Sequence, residues 1–195
     1  VQAAILARRS DAFDSIIDES GIDAAIDTIT NNSLSNCRHP GKLKDADKAA
    51  KRIAEAVINN ERIATVNDFD CDGCTSSTVF YKAAVKYFRH PEDKLTTIIG
   101  NRFTDGYGLS DSIVSRILDE PEEKRPALVI TTDCGSKDEP RISTLKDAGI
   151  DVIVTDHHEP PQDGAPPSAF AFVNPNQVGC SYGDNTIAGC GVIWL

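Results

Sequence analysis

Two adjacent histidines and a carboxylate, Asp156-His157-His158, lie one residue after the apolar run 152–154. Such a run predicts a buried β-strand, and charged side chains at its end contribute little to a packed core. Imidazole and carboxylate groups bind metal ions, and imidazole also contacts phosphate or transfers protons. The stretch therefore predicts a metal or phosphate site, with a solvated polar loop as the alternative.

A second cluster, at residues 68–73, is richer in carboxylates. Alternate residues at a strand end point the same way, so Asp68, Asp70 and Asp72 could converge. Converging carboxylates repel each other, and a divalent cation removes that repulsion. Oxygen ligands with imidazole suit Mn²⁺ or Mg²⁺, and this many carboxylates could hold two ions. The alternative is an acidic turn that caps a helix.

Polar or glycine-rich clusters also follow the other predicted strands. Arg102 suits bidentate recognition of phosphate, and Tyr107, between two glycines, could stack on a base or pack against the protein. Asp133 is either a further carboxylate ligand or a helix cap. Gly189 and Gly191 could bring backbone N–H groups to a phosphate, or they could allow close helix packing. These clusters lie at residues 101–109, 132–135, 174–176 and 189–191.

The elements that must position these side chains are short apolar runs that alternate with amphipathic stretches. Strand–helix alternation predicts the α/β class, with a parallel sheet of about five strands flanked by helices. Ligands of such sheets bind beyond the carboxyl ends of the strands, so the clusters are expected to form one site. The predicted strands are 62–66, 95–99, 127–131, 151–155 and 169–173. The predicted helices are 45–58, 75–88, 110–118, 139–148 and one that starts near Ile187.

Composition limits the class of protein. The 195 residues carry a net charge of −10, which argues against a broad phosphate-binding surface, although bound cations would offset part of it. No apolar run approaches the roughly 20 residues that span a bilayer. The six cysteines follow no regular framework, and we interpret them as free thiols of a reducing cytosol. The sequence therefore predicts a cytoplasmic protein without a membrane partner.

Taken together and in order, these motifs resemble the DHH phosphoesterase superfamily, and among its members the RecJ-type single-strand exonucleases. Residues 68–73 resemble the first family motif, 101–109 the second and 133–135 the third. Asp156-His157-His158 is the signature that names the superfamily. The resemblance covers residues 45–195 and implies a DHH domain that is cut before a second, DHHA1-type domain. Residues 1–44 are expected to form an N-terminal helical extension.

The resemblance also implies an activity, which is a two-metal phosphodiesterase that degrades single-stranded DNA 5′→3′ in repair and recombination. The implied ions are Mn²⁺ or Mg²⁺, and the implied partners are single-stranded DNA, a single-strand-binding protein and a helicase. Asp133 would bridge the ions, and His158 would contact the scissile phosphate. The implied metal ligands are Asp68, Asp70, Asp72, Asp133 and His157. The implied catalytic residues are Asp133, His157 and His158. The implied substrate-binding residues are Arg102, Tyr107, Gly108, His158, Gly189 and Gly191.

Two departures from the family pattern keep alternatives open. Val66 occupies the position where many members carry a histidine, and the last metal-binding aspartate of the family would lie beyond Leu195. One alternative is a phosphodiesterase of short oligonucleotides or cyclic dinucleotides in the same superfamily. The other is a degenerate, non-catalytic DNA-binding subunit.

Overall fold

A single parallel sheet organises the computed structural model, which describes residues 37–162 and 164–195. Most of the predicted N-terminal extension lies outside the described residues. The strand order is β2-β1-β3-β4-β5, and every neighbouring pair is parallel. The predicted α/β class and five-stranded parallel sheet are therefore confirmed. The strands are β1 (Ile63–Asn67), β2 (Leu95–Ile99), β3 (Leu128–Thr132), β4 (Asp151–Thr155) and β5 (Ala171–Val173).

The helices match the predicted ones to within a few residues, with one exception. α2 begins four residues earlier than predicted, because the Asp70 side chain accepts the Gly73 N–H at 3.0 Å and caps it. None of the helices in the described part of the chain is long and apolar enough to cross a membrane. The helices are α1 (Ala46–Ile58), α2 (Cys71–Lys82, continued by a π-helical turn at Ala83–Tyr87), α3 (Asp111–Leu118), α4 (Glu139–Asp147) and α5 (Gly189–Trp194).

Helices cover both faces of the sheet, which explains why the inner strands β1, β3 and β4 are buried along nearly their whole length. Successive strand residues point to opposite faces, so Leu128 and Ile130 contribute to one buried cluster and Val129 to the other. The first cluster includes residues of α1, α2 and α5, and the second includes residues of α3 and α4. With both faces covered, the strand ends are the part of the sheet left for ligands.

Candidate metal centre

Three adjacent strands bring three aspartates into one row. Asn67, Thr132 and Thr155 end β1, β3 and β4 and pair across the sheet. The hydrogen-bond ladder continues one residue further, with the Asp68 N–H donating to Thr132 O at 3.3 Å and the Asp133 N–H donating to Thr155 O at 2.9 Å. The backbone of the sheet thus sets the spacing of the first acidic residue after each strand.

Asp133 lies at the middle of this row and is 1% exposed, with a left-handed backbone (φ 61°). Its Oδ1 atom is buried without a hydrogen-bond partner and lies 3.1 Å from Nε2 of His157. Burial, reinforced by the charge of Asp72, raises the pKa of Asp133 to about 7. A buried carboxylate oxygen that faces an imidazole and other acids is the arrangement a cation stabilises.

Among the residues that the structure describes, two groups of side chains could each hold an ion, and Asp133 belongs to both. One group is Asp133, His157 and His158, and the other is Asp68, Asp70 and Asp133. Within each group the candidate ligand atoms lie within 4.8 Å of one another. Carboxylate oxygens with imidazole nitrogens suit Mn²⁺ or Mg²⁺, so the residues present fit divalent cations. The shared position of Asp133 is where a bridging ligand would lie.

Asp72, a predicted ligand, is in neither group. α2 already includes Cys71, so Asp72 lies in the first helical turn. Its side chain therefore does not follow the alternating side-chain directions of an extended strand. Its Oδ2 accepts the Gly189 N–H at 2.7 Å and its Oδ1 accepts the Cys190 N–H at 2.8 Å. Burial opposes ionisation, but these backbone bonds lower the pKa of Asp72. With Oδ2 3.6 Å from Nε2 of His157, Asp72 anchors α5 beside the centre.

The glycines of α5 serve close packing in this structure. A Cβ atom on Gly189 would lie 2.5 Å from Oδ1 of Asp133, so only glycine lets the helix start approach that carboxylate. A Cβ on Gly191 would lie 2.6 Å from the Ile187 side chain. The N–H of Gly189 is taken by Asp72, and the N–H of Gly191 donates to Ala188 O. Of the two interpretations of these glycines, close helix packing is the one that the contacts match.

Asp156 orients both histidines and is in neither group of candidate ligands. Its Oδ1 accepts the backbone N–H groups of His157 at 2.7 Å and His158 at 3.1 Å, and its Oδ2 accepts the Ser136 N–H at 3.0 Å. Nδ1 of His158 lies 2.7 Å from the same Oδ1. Burial alone would raise the pKa of Asp156, but these bonds lower it, and the bond to Asp156 raises the pKa of His158. With Nδ1 of His158 committed to Asp156, Nε2 is the ring nitrogen left for a ligand.

Two asparagines after β5 support the same loop, and the sequence had assigned them no role. Asn174 is fully buried, and its amide donates to His158 O at 2.8 Å and to Ser136 Oγ at 3.0 Å. The Asn176 amide donates to His157 O at 2.5 Å. The polar cluster at residues 174–176 was the available signal, but only the tertiary contacts reveal what it holds.

Tyr107 joins the loop after β2 to this centre. Its hydroxyl lies 3.3 Å from Nδ1 of His158 and donates to Asp133 O at 3.4 Å. Gly108 follows with a left-handed backbone (φ 71°), and a Cβ there would lie 2.6 Å from Oδ2 of Asp138. That Asp138 oxygen accepts the Leu109 N–H at 2.8 Å. Tyr107, Asp138 and His158 line a cavity of ≈ 280 Å³.

The remaining predicted positions lie at the two extremes of exposure. Arg102 is exposed, with its guanidinium carbon 5.2 Å from the centroid of the Phe69 ring. Val66 is fully buried in the apolar cluster under α3 and α4 and offers no ligand atom. In this chain position 66 therefore belongs to the core.

Comparisons with known proteins identify the relatives of this chain. The family described as the DHH family, N-terminal domain, matches residues 62–195. The single-stranded-DNA-specific exonuclease RecJ of Haemophilus influenzae is 35% identical over 162 residues, which cover 83% of this chain and 27% of that protein. RecJ of Escherichia coli is 35% identical over 151 residues, 77% of this chain and 25% of that protein. The chain thus spans about a quarter of the length of these relatives.

Solved structures give the same result. The chain is similar to exonuclease RecJ bound to manganese, with a TM-score of 0.66, 28% identity and coverage of 77% of this chain and 36% of that one. It is also similar to RecJ in complex with Mn²⁺ from Thermus thermophilus, with a TM-score of 0.59, 25% identity and coverage of 77% and 20%. The resemblance carried by the motifs is therefore confirmed by sequence and by fold.

Proposed function

Because this chain belongs to the DHH family, we propose that it carries the metal-binding part of a phosphodiesterase that degrades single-stranded DNA in the 5′→3′ direction. The observation that carries the proposal is Asp133, a buried carboxylate with an unpartnered oxygen that is shared by two groups of candidate ligands. The names of the RecJ relatives support single-stranded DNA as the substrate.

The residues have separate tasks in this proposal. Asp68, Asp70 and Asp133 would hold one ion, and Asp133, His157 and His158 would hold the second. Ions bound there supply a nucleophilic water at neutral pH and stabilise charge on the attacking and leaving oxygens of an in-line displacement. The RecJ structures with manganese make Mn²⁺ the first ion to test.

The side chains around the ions orient the substrate. Asp156 holds His158 through Nδ1, so that Nε2 would face the scissile phosphate and either bind that group or join the ion. The Tyr107 hydroxyl lies 3.3 Å from the same Nδ1 atom, and the exposed Arg102 would contact the phosphate backbone. The family resemblance assigns Asp72 to the metal. Asp72 would also support the centre indirectly, because its carboxylate holds the start of α5 and lies near His157.

The decisive experiment incubates the full-length protein with Mn²⁺ and four end-labelled or defined substrates, which are single-stranded DNA, duplex DNA, dinucleotides and pyrophosphate. Release of mononucleotides from the 5′ end of single strands supports the proposal. An Asp133→Asn variant, purified in parallel, is the control for contaminating nucleases.

Other outcomes identify the alternatives. Cleavage of dinucleotides alone would indicate a phosphodiesterase of short oligonucleotides or cyclic dinucleotides. Binding of DNA without cleavage of any substrate would indicate a non-catalytic subunit, which the loss of a histidine at Val66 favours. The proposal extends to DNA repair and recombination, where a helicase would supply the strand and a single-strand-binding protein would hold it.

A further inference from the structure

Phe103 is 95% exposed, and no other large apolar side chain in the described part of the chain is more so. An aromatic ring left in water forgoes the stabilisation that burial would give it. Phe103 lies in the loop after β2, at the edge of the sheet where Asp68 and Asp133 also follow their strands. Its exposure is therefore a feature of the carboxyl edge, where ligands of parallel sheets bind.

The loop that carries Phe103 is held in place by its own side chains. The Phe103 N–H donates to Oδ1 of Asn101 at 2.9 Å, and the Asn101 N–H donates to Oδ2 of Asp105 at 2.8 Å. The Ser112 hydroxyl of α3 donates to Asp105, and Arg116 lies 3.7 Å from the same carboxylate. The backbone that carries the ring is thus fixed by a bonded turn, and a preorganised loop binds at a lower entropic cost.

The neighbours of Phe103 indicate what it would bind. Arg102 lies against the Phe69 ring, and Phe69 stands between two of the candidate ligands, Asp68 and Asp70. In a chain of net charge −10, a cation next to the acidic centre marks a place where a phosphate backbone can approach. A stable protein interface buries about 800 Å² on each partner, far more than the ring of Phe103 offers.

We propose that Phe103 is a stacking platform for a base of single-stranded DNA, next to a phosphate that Arg102 contacts. The proposal rests on the proposed function and deepens it, because it names a contact that selects single strands. The bases of a duplex are stacked on each other, whereas a single strand offers free base faces to an aromatic ring. Stacking is tolerant of sequence, which suits an enzyme that degrades any strand.

The test compares Phe103→Ala and Phe103→Trp with the wild-type full-length protein in Mn²⁺. One substrate is a single-stranded oligonucleotide, and the other has the same length but an abasic sugar at every position near the 5′ end. Phe88→Ala is the matched control, because Phe88 is 54% exposed and lies after α2, outside the proposed site.

Loss of one stacking contact should raise KM of Phe103→Ala on the base-bearing strand about 10- to 100-fold. Phe103→Trp should restore KM, and none of the variants should differ from wild type on the abasic strand. The Phe88→Ala control should match wild type on both strands. An equal defect of Phe103→Ala on both strands, or no defect on either, would overturn the proposal.

A measurement of binding separates this proposal from the proposed function. If the wild type cleaves neither strand, the proposed function fails, and the dissociation constants of the two strands still test the platform by fluorescence anisotropy. A preference of the wild type for the base-bearing strand that Phe103→Ala abolishes supports stacking. Equal binding of both strands by the wild type overturns it.

Discussion

The two loops that meet at the candidate centre differ in how far their key side chains, Asp156 and Phe103, are exposed. In the loop after β4, Asp156 is 1% exposed and is bonded on both oxygens, and the backbone carbonyl of His158 accepts a hydrogen bond from Asn174. In the loop after β2, Phe103 is 95% exposed. We refer to residues 156–158 as the inner loop and to residues 101–107 as the outer loop.

The difference follows from position in the sheet. β4 lies between two strands and is buried along most of its length, whereas β2 is an edge strand with exposed residues. An ion needs ligands fixed within fractions of an ångström, and a passing DNA strand needs an accessible surface. Changes in or under the inner loop should therefore reduce kcat, and changes in the outer loop should raise KM.

The largest effect is expected for Asp133→Asn, which removes a charge from both ligand groups and tolerates the left-handed backbone. Activity should fall more than about 1000-fold, beyond the 10- to 100-fold typical of groups that only orient ligands. A neutral amide is less costly to bury than a carboxylate, so the metal-free variant should melt no lower than the wild type. Kinetics in Mn²⁺ and thermal melting in chelator check both, and unfolding of the variant would show that Asp133 is structural.

The second largest loss of activity is expected for Gly189→Ala, because the new Cβ would lie 2.5 Å from Oδ1 of Asp133. Displacing that oxygen or the start of α5 by about 1 Å should lower kcat about 100-fold. Gly149→Ala is the control, since a Cβ at this left-handed position meets nothing within 4 Å. It should cost about 1 kcal/mol of stability and no activity. Equal activity of the two variants would mean that α5 does not constrain the centre.

A moderate effect is expected for Asn174→Ala, which leaves His158 O without its donor from the side chain. The inner loop would loosen, with kcat about 10-fold lower and KM little changed. Unfolding in urea should show a loss of about 1–3 kcal/mol. Asn59→Ala is the control, because Asn59 is exposed and its amide donates to Glu61. A similar loss of stability and kcat in that variant would contradict the role assigned to Asn174.

The smallest effect is expected for Arg102→Ala in the outer loop. Because the side chain is exposed, KM for single-stranded DNA should rise only about 2- to 5-fold, with kcat and the melting temperature unchanged. If Arg102 contacts one phosphate, the slope of log KM against log salt should fall by about 0.7. Lys86→Ala removes an exposed charge from the turn after α2 and should leave the slope unchanged. A fall in kcat for Arg102→Ala would contradict the expectation that changes in the outer loop affect only KM.

The fold could be predicted well because strands and helices differ in periodicity. The runs at 95–99 and 151–155 were predicted with the bounds that the structure has. The start of α2 was missed because the cap is an aspartate within an acidic run, where local sequence does not distinguish a ligand from a helix cap. Asp72 therefore lies in the first turn of α2, where its carboxylate accepts two backbone N–H groups at the start of α5.

The chemistry of the centre could be predicted from residue types alone, since adjacent histidines and repeated aspartates at strand ends are typical of metal and phosphate sites. Their arrangement required the tertiary structure, because hydrogen bonds between segments far apart in sequence select the oxygens that remain free. The oxygens of Asp156 accept hydrogen bonds from Ser136 and the histidines, while Oδ1 of Asp133 accepts none. The motif Asp156-His157-His158 thus predicted a metal site, and the packing of β1, β3 and β4 decided that Asp133 lies at the middle of the row of aspartates.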